Sequence, residues 1–164
     1  MQGVIVQVAI SNGGLPKLPV SGGLIAFLGV EGDGHTRADI HGGPRKAVLL
    51  VSAEGIEELT ARGYPLFPGA LGENLTTRGI DFRRLRVGGR LRAGGALLEI
   101  TQPRGPCSAL DVYGASLKGE ICDARVKAGD PDSPRWGMSG FYASVIEPGA
   151  VRPDDIIVAV DRPA

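Results

Sequence analysis

A mostly β fold with a few helices, arranged as a barrel or a sandwich, is what this 164-residue sequence predicts, on three observations. Short apolar runs with period-two alternation recur at close intervals. Glycine and proline punctuate those runs, with 26 glycines and 12 prolines; glycine alone is about 16% of the chain against a usual share of about 7%. Helical periodicity is confined to two stretches, too few for alternating βαβ units.

The elements follow in order. Val4, Val6, Val8 and Ile10 alternate along the first segment and predict a half-buried strand with those side chains on one face. Further strands are expected over residues 24–30, 46–51, 91–93, 96–101, 141–146 and 156–160, each bounded by Gly, Pro or Asp. Gly94-Gly95 supplies a two-residue hairpin turn, and Glu147-Pro148-Gly149 a second turn with proline pre-set for its first corner. Ser52 caps one expected helix, with Glu54 in its first turn, Ile56 and Leu59 on one face and Gly63 beyond its end. A second helix is expected over residues 115–128, where Leu117, Ile121 and Ala124 have helical spacing. No repeat, charge run or linker marks a boundary, so residues 1–164 read as one domain.

Eighteen basic and eighteen acidic side chains cancel, which removes the positive field that nucleic-acid binding uses. A hydrophobic share of 43% with 22% charged residues argues for a folded globule and against disorder. The longest apolar stretch is far short of the roughly 20 residues of a membrane helix, and the N-terminus lacks the pattern of a secretory signal. Two cysteines, Cys107 and Cys122, are too few for a disulfide scaffold. A cytoplasmic protein without a membrane partner is expected.

The common catalytic fingerprints are absent: no P-loop, no G-x-G-x-x-G, no C-x-x-C, no H-E-x-x-H and no G-x-S-x-G. His35, His41, Cys107 and Cys122 have no zinc-site spacing. Three segments carry chemistry instead. In Gln102-Pro103-Arg104-Gly105-Pro106-Cys107 two prolines stiffen a loop that leaves an expected strand, and Arg104 favours the thiolate of Cys107. That thiol reads equally as a reactive group or as a small buried hydrophobe, whereas the apolar neighbours of Cys122 favour plain burial. Around His41, the pair Gly42-Gly43 lets backbone amides face an anion, with Arg45 and Lys46 adding positive charge; a simple β-turn with a satisfied histidine is the competing reading. Asn74, in Gly72-Glu73-Asn74-Leu75, offers a donor and an acceptor to a heterocycle edge, or caps a turn.

Taken together the motifs His41-Gly42-Gly43-Pro44, Ser52-Ala53-Glu54, Gly72-Glu73-Asn74-Leu75, Gln102-Pro103-Arg104-x-Pro106-Cys107 and Ser139-Gly140-Phe141-Tyr142-Ala143 resemble the MOSC domain. That domain ends the molybdenum cofactor sulfurases and also stands alone in small bacterial proteins. The resemblance implies a closed β-barrel similar to the barrel domain of pyruvate kinase. It implies that Cys107 ligates the molybdenum of molybdopterin or carries sulfur as a persulfide, with His41, Gly42, Gly43, Asn74 and Arg104 binding the cofactor. Reduction of N-hydroxylated compounds is the activity it suggests. The alternative is a non-redox carrier of sulfur or cofactor that delivers to an acceptor molybdoenzyme. The partner would be a separate electron donor or a cysteine desulfurase. Nothing in the chain corresponds to a desulfurase domain, so pyridoxal phosphate would belong to that partner. Arg45 stands where many members carry an acidic residue, and Gly88-Gly89 stands where Gly-Asp is usual.

Overall fold

The computed structural model describes residues 1–34 and 42–161. In order these form β1 (Gln2–Ile10), β2 (Leu18–Val20), β3 (Gly23–Ala26), β4 (Gly29–Val30), β5 (Val48–Ser52), α1 (Ala53–Ala61), β6 (Leu75–Arg78), β7 (Arg90–Ala93) and β8 (Ala96–Pro103). They continue with α2 (Leu117–Ile121), α3 (Ala124–Lys127), β9 (Phe141–Glu147), β10 (Gly149–Val151) and β11 (Ile156–Val160). Seven strands close a ring in the order β1, β11, β7, β8, β9, β5, β6, with β6 returning to β1. Among the described residues β5 and β6 are the one parallel pair in that ring, and the crossover a parallel pair requires is supplied by α1. β2 extends the sheet beyond β1, and β10, β3 and β4 form a small second sheet. The expected barrel is therefore observed.

Closure buries one side of every ring strand. Ile5, Leu50, Leu75, Leu91, Leu98, Ile100, Phe141 and Ile157 are each at most 1% exposed. At one end Trp136 packs edge-on against Phe141 at 5.4 Å and donates its indole N–H to the Leu85 carbonyl. That bond satisfies the polar tip of a buried ring. α1 starts as the sequence predicts, with the Ser52 hydroxyl accepting the Gly55 amide at 3.0 Å and Gly63 taking φ +100° beyond its end. No helix among the described residues is long and apolar enough to cross a membrane.

Four local expectations are corrected. Val4 and Val6 are on the outside of β1, 40% and 36% exposed, while Ile5 and Val8 are sealed in the core. Pairing with β6 skips Val6, so a β-bulge turns the buried face from odd to even residues within one strand. The apolar run 24–30 is not one strand but the hairpin of β3 and β4, with Phe27 and Leu28 at its exposed tip. Gly29 takes φ +128° there, and a Cβ on it would lie 2.6 Å from the Ala47 carbonyl oxygen. The expected helix over 115–128 breaks at Cys122, which is extended. Asp123 then caps α3, its carboxylate accepting the Val126 amide at 2.8 Å and the Ser133 hydroxyl at 2.9 Å. The start of the expected strand 46–51 is also shifted, because Pro44–Lys46 form a 3-10 turn and pairing begins at Val48.

Candidate functional site

β8 delivers the stiff loop. Within it Thr101 is a second bulged residue, since Ile100 pairs with Ala143 and Gln102 with Tyr142. The Thr101 hydroxyl is 2.5 Å from the Arg45 carbonyl and 3.1 Å from the Tyr142 carbonyl. One side chain thereby holds the Gly43–Lys46 turn against β8 and β9. Beyond Pro103 the Arg104 amide still donates to the Gly140 carbonyl at 2.9 Å, and the Ser139 hydroxyl donates to the Arg104 carbonyl at 2.6 Å. Gly140 takes φ +86°, and a Cβ there would meet the Leu50 carbonyl oxygen at 2.3 Å. Glycine is required at that corner.

Cys107 ends this loop and heads the 3-10 helix Ser108–Tyr113, its carbonyl accepting the Leu110 amide at 3.1 Å. It is half-buried, whereas Cys122 is sealed in the core and burial pushes its thiol up. The two cysteines thus differ in environment as the sequence suggests.

Arg104 is 3% exposed. One terminal nitrogen, Nη2, donates to the Leu71 carbonyl at 2.8 Å, while Nε and Nη1 are buried with no hydrogen-bond partner among the described residues. Burial pushes this guanidinium below its usual value, and the charges that Tyr142, Cys107, Glu73 and Cys122 can carry oppose that push. Tyr142 is itself buried, which pushes its phenol up, with Arg104 opposing. The Lys46 ammonium lies 5.4 Å from the centre of the Tyr142 ring. The thiol, the guanidinium and the phenol thus lie within electrostatic reach of one another, with the ammonium near the phenol ring.

The other expected residues are placed as follows. Gly42 and Gly43 take φ +99° and +82°, and a Cβ on Gly43 would meet nothing within 4 Å among the described residues. The left-handed turn is present. His41 and His35 lie outside the described residues, so their placement against Cys107 is outside them too. Among the described residues no cluster of three or more His, Cys, Asp or Glu is arranged to hold a metal. Asn74 is 2% exposed and its carboxamide is engaged within the chain. Its oxygen accepts the Leu49 amide at 3.1 Å, and its nitrogen donates to the Ala9 carbonyl at 3.3 Å and to Asp33 at 2.8 Å. Asp33 in turn pairs with the buried Lys17 at 2.6 Å. Asn74 is thus a clamp between strands.

Thr101, Tyr142 and Glu73 also bear on this loop, though the sequence assigns none of them a role. The register of β8 on β9 carries the signal for Tyr142, which falls opposite Gln102, two residues before Arg104.

A family model for the MOSC domain matches residues 37–158. The uncharacterized protein YflK of Bacillus subtilis is 33% identical over 144 residues, 85% of this chain and 60% of that protein. A protein named a reductase from Gibberella moniliformis is 29% identical over 143 residues, 82% of this chain and 23% of its own length. The crystal structure of YiiM from Geobacillus stearothermophilus superposes with a TM-score of 0.71 at 26% identity, covering 98% of this chain and 76% of that one. The chain spans less than two thirds of the length of the curated relatives it matches. MOSC domains are associated in general with binding of the molybdenum cofactor, and by motif, barrel and sequence similarity this chain belongs to the MOSC domain family.

Proposed function

We propose that this chain binds the molybdenum cofactor with Cys107 as a ligand to the metal and supports reduction of N-hydroxylated compounds, taking electrons from a separate redox protein. The observation that carries the reading is the pairing of a half-buried thiol with a buried arginine that keeps two nitrogens unpartnered. A buried guanidinium with unmet donors is costly unless an acceptor arrives, and the cofactor is rich in anionic oxygens. The residues present therefore fit the group. The relative named a reductase supports the redox form of the reading.

When bound, the cofactor would supply a redox-active metal centre. The chain's own part is binding and orientation. The sulfur of Cys107 is a soft ligand suited to such a metal, and the proline loop fixes where it stands. Arg104 offers Nε and Nη1 to an anionic oxygen. The Gly42-Gly43 turn, which follows His41 in the sequence, presents amides with no described residue within 4 Å of a Cβ on Gly43, and Lys46 is close by. Asn74 serves indirectly by tying the start of β6 to β1 and to Asp33.

The test is metal content. Protein purified from a host that makes the cofactor should contain molybdenum and pterin, read by mass spectrometry and by fluorescence of the oxidised pterin. Cys107→Ser should lose most of the molybdenum and all reduction of an N-hydroxylated purine by an added electron donor. Equal molybdenum in Cys107→Ser would overturn the ligand role. A sulfur carrier predicts no metal and one added sulfur atom on Cys107 after incubation with a cysteine desulfurase, and a cofactor carrier predicts molybdenum without reduction of the N-hydroxylated purine.

A further inference from the structure

The counter-charge of Arg104 is not in direct contact with it. The guanidinium reaches the Leu71 carbonyl through Nη2, and the Leu71 amide reaches Glu73 Oε2 at 3.1 Å. Glu73 is wholly buried, and its Oε1 accepts the Gly69 amide at 2.6 Å and the Thr76 hydroxyl at 2.9 Å. All three partners are donors, the bonding that an ionised carboxylate completes; burial pushes this carboxyl group up, and those hydrogen bonds and the charge of Arg104 oppose the push. The loop it grips has little freedom. Gly69 takes φ +95° with a Cβ position 2.1 Å from the Lys17 carbonyl oxygen, and the Gly72 amide donates back to Gly69 at 3.0 Å.

We propose that Glu73 is a positioning residue for the thiol site: by holding the Leu71 amide it presents the Leu71 carbonyl to Arg104 and fixes the guanidinium beside Cys107, with two nitrogens left for an anion. This rests on the reading of Arg104 as an anion donor at Cys107. Its chemical content is geometric. Leu71 bonds both buried side chains, Glu73 through its amide and Arg104 through its carbonyl. Loss of the carboxylate frees the Leu71 carbonyl to move and removes the acceptor that sets where Arg104 points.

The experiment uses the protein without cofactor and compares alkylation of Cys107 by iodoacetate, an anion, with alkylation by neutral iodoacetamide. Peptide mass mapping separates Cys107 from Cys122. A fixed Arg104 raises the iodoacetate-to-iodoacetamide rate ratio by about fivefold over Arg104→Gln, the size of one unit-charge interaction at short range in water. Glu73→Gln removes a negative charge, so charge alone would raise the ratio; positioning predicts a fall to the Arg104→Gln value. The double variant Glu73→Gln with Arg104→Gln should fall no further. Glu73→Asp keeps the charge but shortens the reach, and should give an intermediate ratio; it also serves if Glu73→Gln does not fold. A wild-type or higher ratio in either Glu73 variant overturns the positioning role and leaves the Arg104 reading standing. An equal ratio in wild type and Arg104→Gln overturns both.

Discussion

Asn74 has the atoms to read the edge of a heterocycle, yet the fold spends them elsewhere. Its nitrogen is committed to Ala9 and Asp33, and its oxygen meets the Leu49 amide. Such a clamp is expected to show in stability rather than in chemistry at the thiol. Asn74→Ala strands a buried amide and weakens the hold on Asp33, which should cost about 2–3 kcal/mol in urea unfolding. The rate of iodoacetamide modification of Cys107 in the folded variant should stay at the wild-type value. A variant as stable as wild type would show that the buried groups find other partners. At this scale the sequence is informative where the chain stiffens itself: two prolines and an adjacent arginine single out Cys107 without any knowledge of the fold. It does not point to Thr101, and it shows Glu73 and Tyr142 only as members of motifs without a role, because Thr101 acts on Arg45 and Tyr142 on Arg104 from distant parts of the chain, and the Leu71 that Glu73 grips two residues away matters only through its bond to the distant Arg104.

Strand β1 shows how one element can mislead a reading by period. Four β-branched residues alternate perfectly from Val4 to Ile10, but the bulge at Val6 moves the buried face across the strand. No local pattern announces the bulge, since it is set by the register that β6 imposes on both sides of it. The consequence is a ranking opposite to the one the alternation gives. Ile5 is fully buried, so Ile5→Ala should destabilise by about 2–5 kcal/mol through lost burial and a cavity. Val6 is 36% exposed, so Val6→Ala should remain within about 0.5 kcal/mol. Urea midpoints of the two single variants decide the matter, and comparable losses would place Val6 in the core and remove the bulge. Elements with local signals behave otherwise. The Ser52 cap and the Gly94-Gly95 turn lie where the sequence places them, and β11 occupies the expected residues, because cap, turn and apolar run are each encoded within a few neighbours.

Across the whole molecule, closure is the property that short-range patterns cannot encode: strand number and turn chemistry suit a sandwich equally well, and only the pairing of the first strand with the last decides. That seam is specific. The Ile5 amide donates to the Asp155 carbonyl at 2.9 Å, the Asp154 amide to the Ile5 carbonyl at 2.8 Å and the Ala159 amide to the Met1 carbonyl at 2.9 Å. β11 is held on both flanks, by β1 and by β7, so releasing it breaks two ladders and exposes Ile157. A strand held in that way has no cheap local opening. Native-state hydrogen exchange should therefore give the Ile5 and Ala159 amides the same opening free energy, within about 1 kcal/mol, as the Asn74 amide bonded to Leu49, which lies away from the seam on the other flank of β1. The Glu31 amide, bonded to Leu24 beside the exposed hairpin tip of the small sheet, should exchange through a cheaper local opening. Should the seam amides exchange as easily as Glu31, the ring would be a sheet that opens between its ends. Glu73, Arg104 and Cys107 would then owe their alignment to loop contacts alone, because a barrel that opens at β1 also loosens β6, the strand that follows Glu73 and Asn74.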